Sequence, residues 1–205
     1  MTTADRKARE REDLSALILS GARKLFVEKG IEHTTIRAIA SAIDYSIGTV
    51  YKYFKDKNEI LHALHTQGFQ ELGSQFIVLR TVKEPMERLK AMGKVYIQFA
   101  MEHRDMYDLM FNLKAPIDFL DAINEEEWNE GKGTFDVLKT TVKDCLDKGY
   151  FQGHEPEPLS FLIWSCVHGM CSLEIRERTK GVNLNNPVNI VEQGYGEFLK
   201  ILDKL

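Results

Sequence analysis

The spacing of apolar positions makes this chain helical almost from end to end. Leu14, Leu17, Ile18, Gly21, Leu25 and Phe26 recur three and four residues apart, the period of one buried face of an α-helix. They predict a first helix over 10–29, stopped by Gly30. Ile36, Ile39, Ala40 and Ile43 mark a short second helix over 36–43, with Thr34 or Thr35 as its N-cap. After a tight turn at Asp44 and Tyr45, Ser46 caps a third helix over 47–54 whose inner positions are Val50 and Phe54. Asp56 caps a long fourth helix reaching residue 79.

Farther along, Pro85 opens a helix over 85–102, proline being tolerated in a first turn where no N–H is needed. A short apolar helix over 104–113, one over 124–148 ended by Gly149, a strongly apolar one over 159–178 and a last one over 187–204 complete the pattern. With five prolines, no internal repeat and few β-branched runs, the expectation is an all-α protein of about nine helices. It has an N-terminal three-helix helix-turn-helix head over residues 1–57 and a C-terminal helical-bundle body over 58–205.

Composition narrows the function classes. Cys145, Cys166 and Cys171 form an odd set with no C-x-x-C pair, against both a disulfide framework and a cysteine zinc site. No apolar run approaches the roughly 18 residues of a membrane span, and no apolar stretch follows the charged N-terminus as in a signal peptide. A cytoplasmic protein with no membrane partner is expected. The net charge of −4 is unevenly spread: residues 1–60 hold 11 Lys/Arg against 9 Asp/Glu, whereas 61–205 hold 16 against 22. That mild asymmetry hints at a nucleic-acid-binding end without establishing one.

The informative stretch is 34–61, TTIRAIASAIDYSIGTVYKYFKDKNEIL. Two short helices about a tight turn are the construction of a helix-turn-helix, in which the first helix braces across the DNA backbone and the second presents side chains to base edges. Ala38, Ala40 and Ala42 permit a close helix crossing, and Gly48 permits close approach to DNA. Ser46, Thr49, Lys52 and Tyr53 offer hydroxyls and a charge suited to phosphates, which position a protein without specifying sequence. Lys55, Lys57 and the N–H groups opening the fourth helix add a further phosphate site.

Ser46-x-Gly48-Thr49-Val50-Tyr51-x-Tyr53-Phe54-Lys55-x-Lys57 resembles the recognition-helix pattern of the tetracycline-repressor (TetR) family of transcriptional regulators. The resemblance implies that Arg37, Ile47, Gly48 and Tyr51 face base edges, and that Thr35, Ser46, Thr49, Lys52, Tyr53 and Lys57 hold phosphates. Asp44 and Tyr45 depart from the glycine and small apolar residue usual in the family's turn. Asp tolerates a left-handed backbone better than most residues, so the turn survives; Tyr45 is placed either in the core or toward DNA.

HRDMYDLMF at 103–111 and Trp164-x-x-x-His168-Gly169 resemble a TetR subgroup with a Trp-His-Gly signature in its penultimate helix. Trp164 and His168, four apart on one helix face, either pack in the core or line a cavity. Because the family commonly binds a small effector in its body, Tyr96, Met101, Tyr107, Met110, Phe111, Trp128, Phe161, Trp164 and His168 are the candidate lining residues. Pairing of two heads on a palindromic double-stranded operator implies a homodimer, with helices 159–178 and 187–204 as the interface.

Other motifs fail. His103-Arg104-Asp105 has no downstream Asn or Gly-rich loop to make it a kinase catalytic loop, His62 and His65 read as a surface pair without a third ligand, and Glu125–Glu127 as a charged first turn. No catalytic residue, metal site or cofactor is expected. The leading reading is a homodimeric repressor released from its operator by a small hydrophobic ligand. An activator or ligand-independent regulator on the same fold comes next, then a helical ligand-binding protein without DNA function.

Overall fold

Helix α1 runs over Thr3–Lys29 in the computed structural model, which describes residues 2–112, 130–185 and 187–205. It begins seven residues earlier than the apolar period suggested, because a capping box starts it. The Thr2 hydroxyl accepts from the Asp5 N–H (3.2 Å) and the Asp5 carboxylate from the Thr2 N–H (2.6 Å). Its buried face is Ile18, Ala22, Leu25 and Phe26. Leu17, expected on that face, is 42% exposed.

Helices α2 (Ile36–Ala42) and α3 (Ile47–Tyr51) complete the head. The buried Thr34 hydroxyl donates to the Leu25 and Gly30 carbonyls, tying the end of α1 to the start of α2. A Cβ on Gly21 would stand 2.5 Å from Ile43 Cγ2, so the two helices meet where only glycine fits. Helix α3 is shorter than predicted, and Lys52 and Tyr53 continue as a turn that still buries Phe54. Helix α4, Lys57–Val78, is capped by the Asp56 carboxylate, which accepts from the Glu59 N–H at 2.9 Å.

The remaining helices are α5 (Pro85–Glu102), α6 (Arg104–Phe111), α7 (Glu130–Asp147), α8 (Pro156–Ile175) and α9 (Ile190–Leu202), with single 3₁₀ turns at Leu79–Thr81 and Arg178–Gly181. The described residues are all-helical, with nine α-helices and no strand. Trp128, and the part of helix 124–148 before Glu130, lie outside the described residues.

The chain divides into two compact units, 2–67 and 68–112 with 130–205. In the second, α5, α7 and α8 pack on one another, with α6 and α9 against α8. Met86, Leu89, Val142, Cys145, Phe151, Leu159, Ile163 and Leu202 form its core. Burying hydrocarbon there is worth about 25 cal/mol per Å² removed from water. Helix α8 is long and apolar enough to match a membrane span by length and composition, contrary to the expectation that no segment would. Its apolar surface packs on α5, α7 and α9 on one side, and Phe161, Leu162 and Leu173 remain exposed. All three cysteines are free, and burial pushes the Cys145 and Cys171 thiols up to about 11 and about 12, which keeps both as neutral thiols.

Candidate nucleic-acid interface

Asp44 takes a left-handed conformation (φ 57°), and the next N–H, of Tyr45, closes the turn onto the Ala40 carbonyl at 3.0 Å. The turn that departs from the family pattern is thus made with the backbone geometry that Asp can adopt. Ser46 then caps α3: its hydroxyl accepts from the Thr49 N–H (3.0 Å) and lies 2.8 Å from the Thr49 hydroxyl. Thr35 caps α2 in the same way, accepting from the Ala38 N–H at 3.1 Å.

These caps leave a polar, open surface around α3. Thr35, Arg37, Ser46, Gly48, Tyr51 and Lys52 are exposed; Ile47, Thr49, Tyr53 and Lys57 are half-buried. Tyr51 is 54% exposed although its neighbour Val50 is fully buried, so α3 turns Val50 inward and presents its tyrosine to solvent. Tyr45 is also exposed, at 45%, and does not join the core. Of the three alanines expected at the helix crossing, Ala40 is buried, Ala38 half-buried and Ala42 exposed.

Gly48 is informative because the protein itself does not require it. A Cβ there would meet only the Ser46 hydroxyl, at 3.8 Å, an ordinary contact. Lys57 is held on the protein: its ammonium donates to the Ile31 carbonyl at 2.7 Å, leaving two N–H groups for another acceptor. The Glu59 N–H at the start of α4 is already taken by Asp56, and the Glu59 carboxylate accepts from the Lys55 N–H.

The second unit gathers five of the expected lining residues. Tyr96 (α5), Tyr107 and Phe111 (α6), and Trp164 and His168 (α8) meet, with the Phe111 ring within 4.8–6.2 Å of the other four ring centroids. Their polar atoms form a chain with one consistent direction. The Trp164 indole N–H donates to the Tyr96 hydroxyl (3.1 Å), which lies 3.1 Å from the Tyr107 hydroxyl, itself 2.7 Å from His168 Nδ1. His168 Nε2 lies 3.2 Å from the Ser172 hydroxyl. Every group is satisfied if His168 is neutral with its proton on Nε2, since Nδ1 then accepts from Tyr107 and Nε2 donates to Ser172. Burial favours that neutral form, lowering the His168 pKa, and raises those of Tyr96 and Tyr107.

The chain extends beyond the predicted residues. Ser172 donates to Asn112 Oδ1 (3.5 Å), Asn112 to Asp108 (3.0 Å), and Arg176 pairs with Asp108 at 2.8 Å. The signal for these was present in the spacing: Ser172 and Arg176 follow His168 at intervals of four, as Asn112 follows Asp108. Of the other expected residues, Met110 is buried, with its sulfur 2.4 Å from where a Cβ on Gly68 would stand; Met101 is half-buried. Phe161 is exposed, its ring 6.2 Å from Trp164. His62 and His65, expected as a surface pair, are half-buried and buried. They lie on the face of α4 that carries Leu61, Leu64 and Phe69, so neighbouring apolar residues carry them inward.

Comparison with known proteins matches residues 18–64 to the family described as bacterial regulatory proteins, tetR family, and residues 89–193 to the tetracyclin repressor-like C-terminal domain. The chain belongs to the TetR family. It is a transcriptional regulator with a DNA-binding helix-turn-helix at its N-terminal end. Among its relatives, the HTH-type transcriptional regulator HbdR of Aromatoleum sp. (strain CIB) is 50% identical over 160 residues, 74% of this chain and 66% of that protein. The HTH-type transcriptional repressor KstR2 of Mycolicibacterium smegmatis is 25% identical over 150 residues, 69% of each chain. The fold is shared with the fatty acid degradation regulator FadR from Bacillus halodurans (TM-score 0.73, 17% identity, 90% of this chain and 94% of that one).

Proposed function

We propose that this TetR-family regulator is a homodimeric repressor that binds a palindromic operator and is released from it by a small hydrophobic ligand held in the body. The observation that carries the reading is α3 itself, a recognition helix whose outward residues are open and whose Gly48 serves no packing need of the protein. Arg37, Ile47, Gly48 and Tyr51 read base edges in the major groove, and Thr35, Ser46, Thr49, Lys52, Tyr53 and Lys57 hold the flanking phosphates. The head, residues 1–57, does the binding; residues 58–205 bind the ligand and the second copy. The protein works in the cytoplasm, where its DNA lies, and the role needs no catalytic group. Its relative KstR2 is a repressor.

Dimerisation is supported by apolar surface left unused within one chain. On α8, Leu162, Cys166, Gly169 and Leu173 follow at intervals of four, three and four, which sets them in one stripe. Leu162 and Leu173 are more than half exposed, and the other two half-buried. On α9, Ile190 and Ile201, eleven residues apart and so on one face, add apolar surface, and Ile201 is 56% exposed. Two copies joined through helices 159–178 and 187–204 bury both surfaces in a four-helix interface.

Ligand binding is supported by the aromatic and hydroxyl cluster around Phe111 and His168, an apolar surround with a few convergent polar groups. A ligand entering there competes with the internal hydrogen-bond chain and shifts the population toward a body conformation with another head spacing. The two recognition helices meet successive major grooves about 34 Å apart, so operator affinity falls by the ligand's differential affinity for the two states. Footprinting the full chain on DNA upstream of its own gene tests the reading. A protected inverted repeat is expected, and loss of the protein should raise reporter output from that promoter; no protected repeat at moderate salt, or a fall in output, contradicts it.

A further inference from the structure

Beside the recognition helix, the first turns of α1 and the two tyrosines that flank α3 enclose a cleft of about 560 Å³ whose walls include Lys7, Arg11, Leu14, Leu17, Tyr45 and Tyr53. Its α1 wall lies ahead of residue 18, where the match to the family's DNA-binding head begins. In this stretch of α1 the helix makes no core: residues 3–13 are exposed and the first buried residue is Ile18. A segment of that length is marginal as a helix in water on its own, yet it carries a capping box and an Arg6–Glu10 ion pair (3.5 Å). Leu17 and Tyr45 are left 42% and 45% exposed on the cleft.

The charges have an order. Lys7 and Arg11 are four apart and share one edge of α1, whereas Asp13 falls on the far side of Leu14 and Leu17 at about 100° of rotation per residue. Glu10 lies between, compensated by Arg6. Among the described residues neither Lys7 nor Arg11 is engaged in an ion pair. Beside the carboxylates of Glu10 and Asp13, the cleft thus offers two cations outside any ion pair, two tyrosine hydroxyls and a leucine floor, continuous through Tyr53 and Tyr45 with both ends of α3.

We infer that this cleft is a second DNA contact, seating the sugar-phosphate backbone that flanks each half-site. Lys7 and Arg11 hold phosphates, the Tyr45 and Tyr53 hydroxyls donate to phosphate oxygens, and Leu14 and Leu17 lie against the deoxyribose. Asp13, on the opposite edge, keeps the strand on the cationic side. The contact carries no base recognition, so it lengthens the footprint and raises affinity for every sequence alike. Tyr45 takes its role here, outside the core.

The test uses the full chain and a duplex it selects from a random-sequence library, with binding followed by fluorescence anisotropy between 50 and 200 mM salt. Removing two phosphate contacts from each protomer, four per bound dimer, in a Lys7→Ala/Arg11→Ala variant should flatten the plot of log affinity against log salt by about 3.6, at about 0.9 per phosphate. Affinity at the lowest salt should fall about tenfold or more, with the ranking of mutated operator sequences unchanged. Asp13→Lys should tighten binding and steepen the slope. Both substitutions are on exposed positions, and thermal melting verifies that the head stays folded. Wild-type slope and affinity in the double variant would mean that the cleft serves another occupant, and would overturn the inference alone. Failure of the wild-type chain to select any duplex would overturn it together with the DNA-binding role of α3.

Discussion

Tyr107 has no exposed surface, and its hydroxyl reaches His168 Nδ1 at 2.7 Å. Tyr107→Phe removes that donor and leaves Nδ1 the longer contact to the Tyr96 hydroxyl, 3.2 Å, at a cost of about 1 kcal/mol, measurable by urea unfolding. His168 sets a pH dependence of definite sign. Its pKa is lowered in the folded chain by burial, below the ordinary 6.5, so as pH falls through 6.5 the unfolded chain takes up a proton that the folded chain refuses. Stability therefore declines as pH falls below 6.5, down to the folded-state pKa. A His168→Gln variant should lose this part of the decline; an unchanged profile would remove the neutral buried histidine from the account. In the head, alanine at Tyr53 or Lys57 should weaken binding to all sequences, and at Lys57, where a charge is lost, also flatten the salt slope, whereas Arg37→Ala should relax sequence preference. Uniform loss from Arg37→Ala would reassign it to phosphate. Lys57→Ala carries a second cost of about 1 kcal/mol in stability, since it removes the hydrogen bond to the Ile31 carbonyl. Much of this was legible at the residue scale: Asp44 in a left-handed turn and Ser46 as a cap follow from side-chain chemistry. The Lys57–Ile31 contact was not, because it joins residues 26 apart and depends on tertiary placement.

At the scale of elements, apolar period and caps located every α-helix that the described residues contain, matched Pro85–Glu102 at both ends and erred at the ends of others. Helix α1 starts early because the Thr2–Asp5 box lies outside the apolar stripe, and α3 stops early although Phe54 still reaches the core. Faces were less legible than spans. Leu17 belongs to the apolar period yet lines a surface cleft, and His65 belongs to a polar residue type yet is buried. In each case the deciding factor is which partner element covers that turn, and local spacing does not encode it. Two crossings depend on glycine and make sharp predictions. Gly21→Ala drives a Cβ to 2.5 Å from the stiff, β-branched Ile43 side chain. Gly93→Ala places one 2.2 Å from the Tyr195 hydroxyl, which donates to the Lys90 carbonyl at 2.7 Å. Each should destabilise its own unit by about 1–3 kcal/mol. Gly21→Ala should also lower DNA affinity by disturbing the α2 end of the head, and normal melting of either variant would show that the crossing yields.

At the scale of the whole molecule, the sequence carried the head further than the body. The head's function is written in contiguous residues, Ser46 to Lys57, whereas the aromatic and hydroxyl cluster is assembled from α5, α6 and α8, whose inward faces could not be read from any one of them. The same holds for α8 as the proposed interface, since its apolar surface divides between the bundle and solvent only once its neighbours are in place. Sedimentation at micromolar concentration should show a dimer, and Leu162→Asp with Leu173→Asp should give a monomer with sharply reduced operator affinity. A wild-type monomer would remove the proposed interface. The claim on which all else rests is that α3 enters the major groove, and Gly48 tests it most directly. The protein has room for a side chain there, and replacing glycine within a helix favours folding by up to about 1 kcal/mol. Gly48→Leu should therefore melt no lower than wild type while its affinity for the selected duplex falls at least tenfold; a Gly48→Leu protein that is folded and binds that duplex as tightly as wild type would contradict the account.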